Sequence, residues 1–119
     1  MTLEELEKER KRRIIPGLRR VSRWWTAKVE AMKKQKVSPG KYKCEMCNEV
    51  YPQKEIKMDH KEPVVDPKTS FVDWNTYIER MFCNEEGFQA LCESCHFLKT
   101  TLEHEVRKVY RKKIKKTLK

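Results

Sequence analysis

No stretch of this sequence keeps apolar residues over the ~18 positions that a membrane-spanning helix needs. Its opening, Met1-Thr2-Leu3-Glu4-Glu5-Leu6-Glu7-Lys8, lacks the basic-then-apolar pattern of a secretory signal. The expectation is therefore a reducing compartment, where cysteines bind metal rather than pair as disulfides. Internal repeats are absent, and so are low-complexity tracts apart from a basic tail. Apolar residues are themselves scarce, the hydrophobic set making up 38% of 119 residues against 39% charged. A chain of this length is one small domain with extensions, and a core so thin calls for a staple. Acid is in deficit too: Asp and Glu number 18 against 28 Lys and Arg, giving +10 and a pI near 9.5. That balance favours a polyanionic partner, nucleic acid foremost.

Cysteine supplies the staple. Cys44 and Cys47 form one Cys-x-x-Cys pair, and Cys92 and Cys95 form another. Each pair can bite an ion from one tight turn, and four thiols in two such pairs are what a tetrahedral structural zinc requires. The fifth thiol, Cys83, reads as a small buried apolar residue. Between the pairs lies Asp59-His60, and His96 directly follows Cys95. One carboxylate and two imidazoles make a second group of harder character, suited to a divalent ion and a water nucleophile.

Periodicity organises the rest. Thr2 and Glu5 form a capping box for a helix over 2–15, and Pro16-Gly17 is expected to break it. A second helix, 18–36, would carry Leu18, Val21, Trp25, Val29 and Met32 on one face, with one of the adjacent Trp24 and Trp25 at its edge. Arg19, Arg20, Arg23 and Lys28 decorate the remainder, and Ser38-Pro39-Gly40 ends the helix. Residues 49–52 and 55–58 read as short strands, the second leading into Asp59-His60. Asp73 caps a short helix whose face of Trp74, Tyr77, Ile78, Met81 and Phe82 reads as core. Thr100 and Glu103 form a further capping box, opening a last helix with Leu102, Val106, Val109 and Ile114 on its buried side. Arg107, Arg111 and Lys112 begin its basic tail, and His104 reads as a surface residue.

Taken together, Cys-x-x-Cys, then Asp59-His60 with Pro63, then Phe88-Gln89-Ala90-Leu91-Cys92-x-x-Cys95-His96 with Lys99-Thr100, resemble the HNH endonucleases. Within that family the chain is most similar to small free-standing phage enzymes of the homing type, over roughly residues 41 to 100. The resemblance implies an α+β fold, a zinc-stapled ββα-metal module at 41–100 between a basic helical arm at 1–40 and a basic helix at 101–119. It implies His60 as general base, Asp59 and His96 on a catalytic Mg²⁺ or Mn²⁺, and products with 5′-phosphate and 3′-hydroxyl ends. The partner implied is double-stranded DNA, held by Arg19, Arg20, Arg23, Lys28, Arg107, Arg111 and Lys112, with no membrane and no small-molecule substrate. A monomer or weak dimer in the cytoplasm is expected, the host's cytoplasm if the gene is a phage's.

One position departs from the family. Its middle asparagine, which orients the loop carrying the base, falls here on Gly87. Asn84 is the substitute expected in the catalytic group if the turn curls back, with Gln89 a weaker one; alternatively no residue substitutes, and the enzyme is slower or the loop is fixed by backbone bonds. Gly87 also supports a rival reading: a zinc-dependent DNA-binding regulator or packaging accessory that does not cleave. RNA is a further substrate that the sequence leaves open.

Overall fold

A computed structural model describes residues 1–118, with side chains as far as residue 113. The first helix, α1 (Leu3–Ser22), opens on Thr2, whose side chain accepts the Glu5 N–H at 3.2 Å. Glu4 and Glu5 lie in its first turn and Arg19 and Arg20 in its last, as the helix dipole favours. Its surface is laced by Glu7–Arg10 and by Glu9 with Arg12 and Arg13. The break expected at Pro16-Gly17 does not occur. Proline's fixed φ suits a helix, and at this exposed turn water can take the carbonyl that loses its donor.

The chain turns instead at residues 23–25, and Trp25 is the reason. Its indole Nε1–H donates to the Cys83 carbonyl at 2.7 Å, and its ring meets Phe82 edge-on with centroids 5.5 Å apart. Helix α2 (Thr26–Lys34) starts directly after this anchor and packs on the later strand and turn that carry the site. The single apolar stripe expected over 18–36 is therefore split between two helices. Val21 is exposed, and Trp24 is the edge indole, 78% exposed.

Ser38-Pro39-Gly40 is a hairpin turn rather than a helix end, with Gly40 in the left-handed region at φ +74°. It joins β1 (Lys36–Ser38) to β2 (Lys41–Lys43), and β3 (Val50–Pro52) completes an antiparallel sheet in the order β1-β2-β3. A 3₁₀ turn, Gln53–Glu55, then leads to β4 (Ile56–His60). The two strands read from 49–52 and 55–58 thus belong to different sheets. The partner of β4 is β5 (Phe88–Cys92), antiparallel, running from Ile56 opposite Cys92 to His60 opposite Phe88. In the connection sits α3 (Trp74–Met81), with Asp73 capping the Thr76 N–H at 2.7 Å. Its expected core face holds in Tyr77 and Met81, while Ile78 is exposed.

Helix α4 (Glu93–Leu118) follows β5 without a loop. Thr100 therefore lies inside it and caps nothing. Leu102 and Val109, expected on a buried side, are exposed, and the Ile114 side chain lies outside the described residues. Among the buried residues Cys44, Ile56, Ala90, Leu91 and Cys92 form one compact cluster, ringed by Tyr42, Tyr51, Met58 and Cys95, and Ala31, Tyr77, Met81 and Phe88 are buried beyond it. Cysteines thus fill much of the space that larger apolar side chains would occupy in a bigger domain. The architecture is mixed α+β, and among the described residues no helix is long and apolar enough to cross a membrane.

Candidate metal centres and the adjoining cleft

The four paired cysteines converge. The sulfurs of Cys44, Cys47, Cys92 and Cys95 all lie within 4.8 Å of one another, Cys47 and Cys92 at 3.9 Å. Tetrahedral zinc with bonds of ~2.3 Å sets its sulfurs about 3.8 Å apart, so this donor set suits the ion in chemistry and in spacing. Local turns produce the convergence. Asn48 takes the left-handed conformation at φ 63°, and its N–H returns to the Cys44 carbonyl at 2.9 Å. Glu45 then docks this turn on β5, giving its N–H to the Ala90 carbonyl at 2.8 Å and accepting the Ala90 N–H on its carboxylate. Burial opposes ionisation of Cys44, but the N–H groups of Cys47, Cys92 and Met46 at its sulfur outweigh burial and bring the thiol down to about 6. The neighbouring Cys92 sulfur, with partial burial, pushes the Cys95 thiol up to about 12. Tyr51 reaches the Cys47 sulfur with its hydroxyl at 3.8 Å, an outer contact of the kind that steadies a thiolate.

The second group forms where β4 meets α4. Asp59 Oδ1 lies 3.9 Å from His96 Nε2, and its Oδ2 lies 2.8 Å from Lys99 Nζ. An ion about 2.1 Å from each ligand fits between Asp59 and His96 with a small side-chain movement. Oδ2 is buried without a well-angled hydrogen bond, so its contact with Lys99 is a close ion pair rather than a directed bond. Lys99 also donates to the His60 carbonyl at 2.9 Å and pairs with Glu103. Burial alone would lower the Lys99 pKa, yet Asp59 and Glu103 more than compensate and raise it. Among the described residues the cysteines are the only group of three or more clustered metal-ligating side chains. An ion on Asp59 and His96 would thus keep positions open to water or phosphate.

Strand alternation separates the two neighbours. Asp59 faces α4, whereas the His60 ring rests on Phe88 at 4.8 Å between centroids and reaches the Met81 carbonyl through Nε2 at 2.9 Å. A carbonyl only accepts, so Nε2 carries a proton, and in the neutral tautomer this leaves the lone pair on Nδ1. Asn84 does not reach this ring. Its side chain accepts the Glu85 N–H at 2.9 Å, capping the 3₁₀ turn Glu85–Gly87. The loop is tied by backbone, Lys61 N–H to the Gly87 carbonyl at 2.8 Å. Gln89 stands opposite Asp59 in the ladder.

Beside the second group opens a cleft of about 600 Å³. Arg23, Trp24 and Lys28 line one wall, and Lys57, Met58 and His96 the other. Burial lowers the Lys28 pKa, the nearby Arg23 adds to the effect, and Asp59 opposes it. Arg19 and Arg20 are exposed on the last turn of α1. Arg107, half-buried, and the exposed Arg111 and Lys112 ride on α4 outside this cleft. Sequence reasoning missed the roles of Lys99 and Glu103 in fixing Asp59. The signal was present, since residues 96, 99 and 103 share one helix face. The Met81 carbonyl had none, because backbone groups carry no residue signature. Compared with known protein families, curated proteins and solved structures, the chain matches none.

Proposed function

We propose that this protein is a metal-dependent DNA endonuclease of the HNH kind, its β4, β5 and α4 forming the ββα-metal unit and its four cysteines holding zinc. The observation that carries the reading is the approach of Asp59 on β4 to His96 on α4, 3.9 Å apart, immediately before His60. Asp59 and His96 would hold one divalent ion, Mg²⁺ or Mn²⁺, which supplies charge to the scissile phosphate and the leaving oxygen. His60, its Nε2 fixed on Met81, has its ring on the other side of β4 from Asp59. It would accept at Nδ1 the proton of an attacking water lying at the end of the strand, within reach of both. Arg23 and Lys28 supply cationic contacts for the phosphates along the cleft, with Arg19 and Arg20 extending them along α1. Phage homing-type chemistry would leave 5′-phosphate and 3′-hydroxyl ends. Ligase therefore tests it: nicks made by the purified protein should reseal without prior end repair, and ends that resist ligation until repaired would refute the assignment.

A second reading rests on Lys99. Its ion pair gives Asp59 a partner within the protein, as a binding module without cleavage would have. Such a regulator or packaging accessory would bind DNA with the same salt sensitivity and never convert it.

A further inference from the structure

Helix α4 grips the Asp59 carboxylate from two sides. His96 and Lys99, three residues apart, face β4 from successive turns, Lys99 Nζ pairing with Oδ2 at 2.8 Å and His96 Nε2 standing 3.9 Å from Oδ1. Lys99 is only 15% exposed and is held on three sides: by the Asp59 carboxylate, by the His60 carbonyl and by Glu103 one turn further on. A lysine so confined cannot swing away as a solvated surface chain does. It leaves Asp59 one oxygen, Oδ1, turned toward His96.

We propose that Lys99 is a positioning residue that confines Asp59 to coordination through a single oxygen, and so makes the Asp59–His96 site selective for small octahedral ions over calcium. This rests on the nuclease reading above. Magnesium demands near-ideal octahedral geometry, whereas calcium accepts more ligands and takes carboxylates through both oxygens. A cation fixed on Oδ2 disfavours the two-oxygen mode, and Glu103 keeps that cation in place.

The test is ion binding by the zinc-loaded full chain, measured without DNA. Mn²⁺ binding is followed by its electron paramagnetic resonance signal, and Mg²⁺ and Ca²⁺ are titrated as competitors. The parent should favour Mg²⁺ over Ca²⁺. Lys99→Met should move the Ca²⁺-to-Mg²⁺ affinity ratio toward calcium by roughly tenfold or more, the usual scale for outer partners of metal ligands. Lys99→Arg should restore the parent ratio, and Glu103→Gln should give a smaller shift in the same direction. Should Lys99→Met lose its zinc, Glu103→Gln decides. A ratio unchanged in variants that keep zinc overturns the role of Lys99 and leaves the nuclease reading standing. A parent that binds no Mn²⁺ overturns both.

Discussion

The sulfur of Cys83 fills the space into which any side chain at Gly87 would project: a Cβ there would lie 2.4 Å from Cys83 Sγ and 3.2 Å from its Cβ. Position 87 is thus glycine for a steric reason, and its loop is held by backbone bonds. Gly87→Asn should therefore destabilise the protein by about 1–3 kcal/mol, the usual cost of overpacking. In a Cys83→Ala background the cost should shrink without vanishing, because the 3.2 Å contact remains. A double-mutant cycle from urea unfolding measures the coupling, and additive effects would contradict the steric account.

The two adjacent indoles should behave oppositely. Trp25→Phe removes the donor to the Cys83 carbonyl and should cost roughly 1–2 kcal/mol, the scale of a lost partly buried hydrogen bond. Trp24→Ala should stay within about 0.5 kcal/mol, as exposed substitutions do. Thermal unfolding of the two variants side by side checks the contrast. Equal losses would mean that Trp25 does not anchor the arm.

That contrast marks where the sequence was legible. Periodicity showed that one of the two indoles must leave the apolar face. It could not show that a carbonyl 58 positions away would set the helix boundary at Trp25 and override the proline. The cysteine pairs, the Asp73 cap and Asp59-His60 at a strand end were readable because each rests on local spacing or on one strong chemical preference. The β4–β5 pairing and the Lys99–Asp59 contact join residues far apart in the chain, and only folding brings them together. The capping box at Thr100 failed for a related reason: α4 propagates directly from the turn that carries Cys95, and Glu103 is engaged by Lys99.

Lys28 should trade stability against binding. Its pKa is lowered by burial and by Arg23, so the fold holds the charged form at a cost. A group whose folded pKa lies below its unfolded value disfavours folding while protonated, and the penalty fades as pH rises through that pKa. At neutral pH Lys28→Met should raise the unfolding midpoint and weaken DNA binding, with the slope of log K against log salt falling by about 0.9 if one phosphate contact is lost. A variant less stable than the parent, or an unchanged slope, would contradict this.

Zinc removal should cost more than any of these changes. Cys44 and Cys92 belong to the core as well as to the sulfur cluster, so metal binding there would be coupled to folding. Strong chelation should abolish cooperative unfolding, and Cys92→Ser should lose stoichiometric zinc. A circular dichroism spectrum unchanged by chelation, after confirmed loss of metal, would contradict the structural role.

A nuclease site made of Asp59, His60 and His96 should cut DNA only with its metal and its base in place. The most direct measurement is conversion of supercoiled plasmid by the zinc-loaded protein, with Mg²⁺ or Mn²⁺ and with EDTA, beside a His60→Ala variant of equal zinc content. The expected result is metal-dependent nicking or linearisation that falls by about 10²–10⁴ in the variant, the scale for loss of a general base. Cleavage that survives His60→Ala, or tight salt-sensitive binding without conversion, would contradict it.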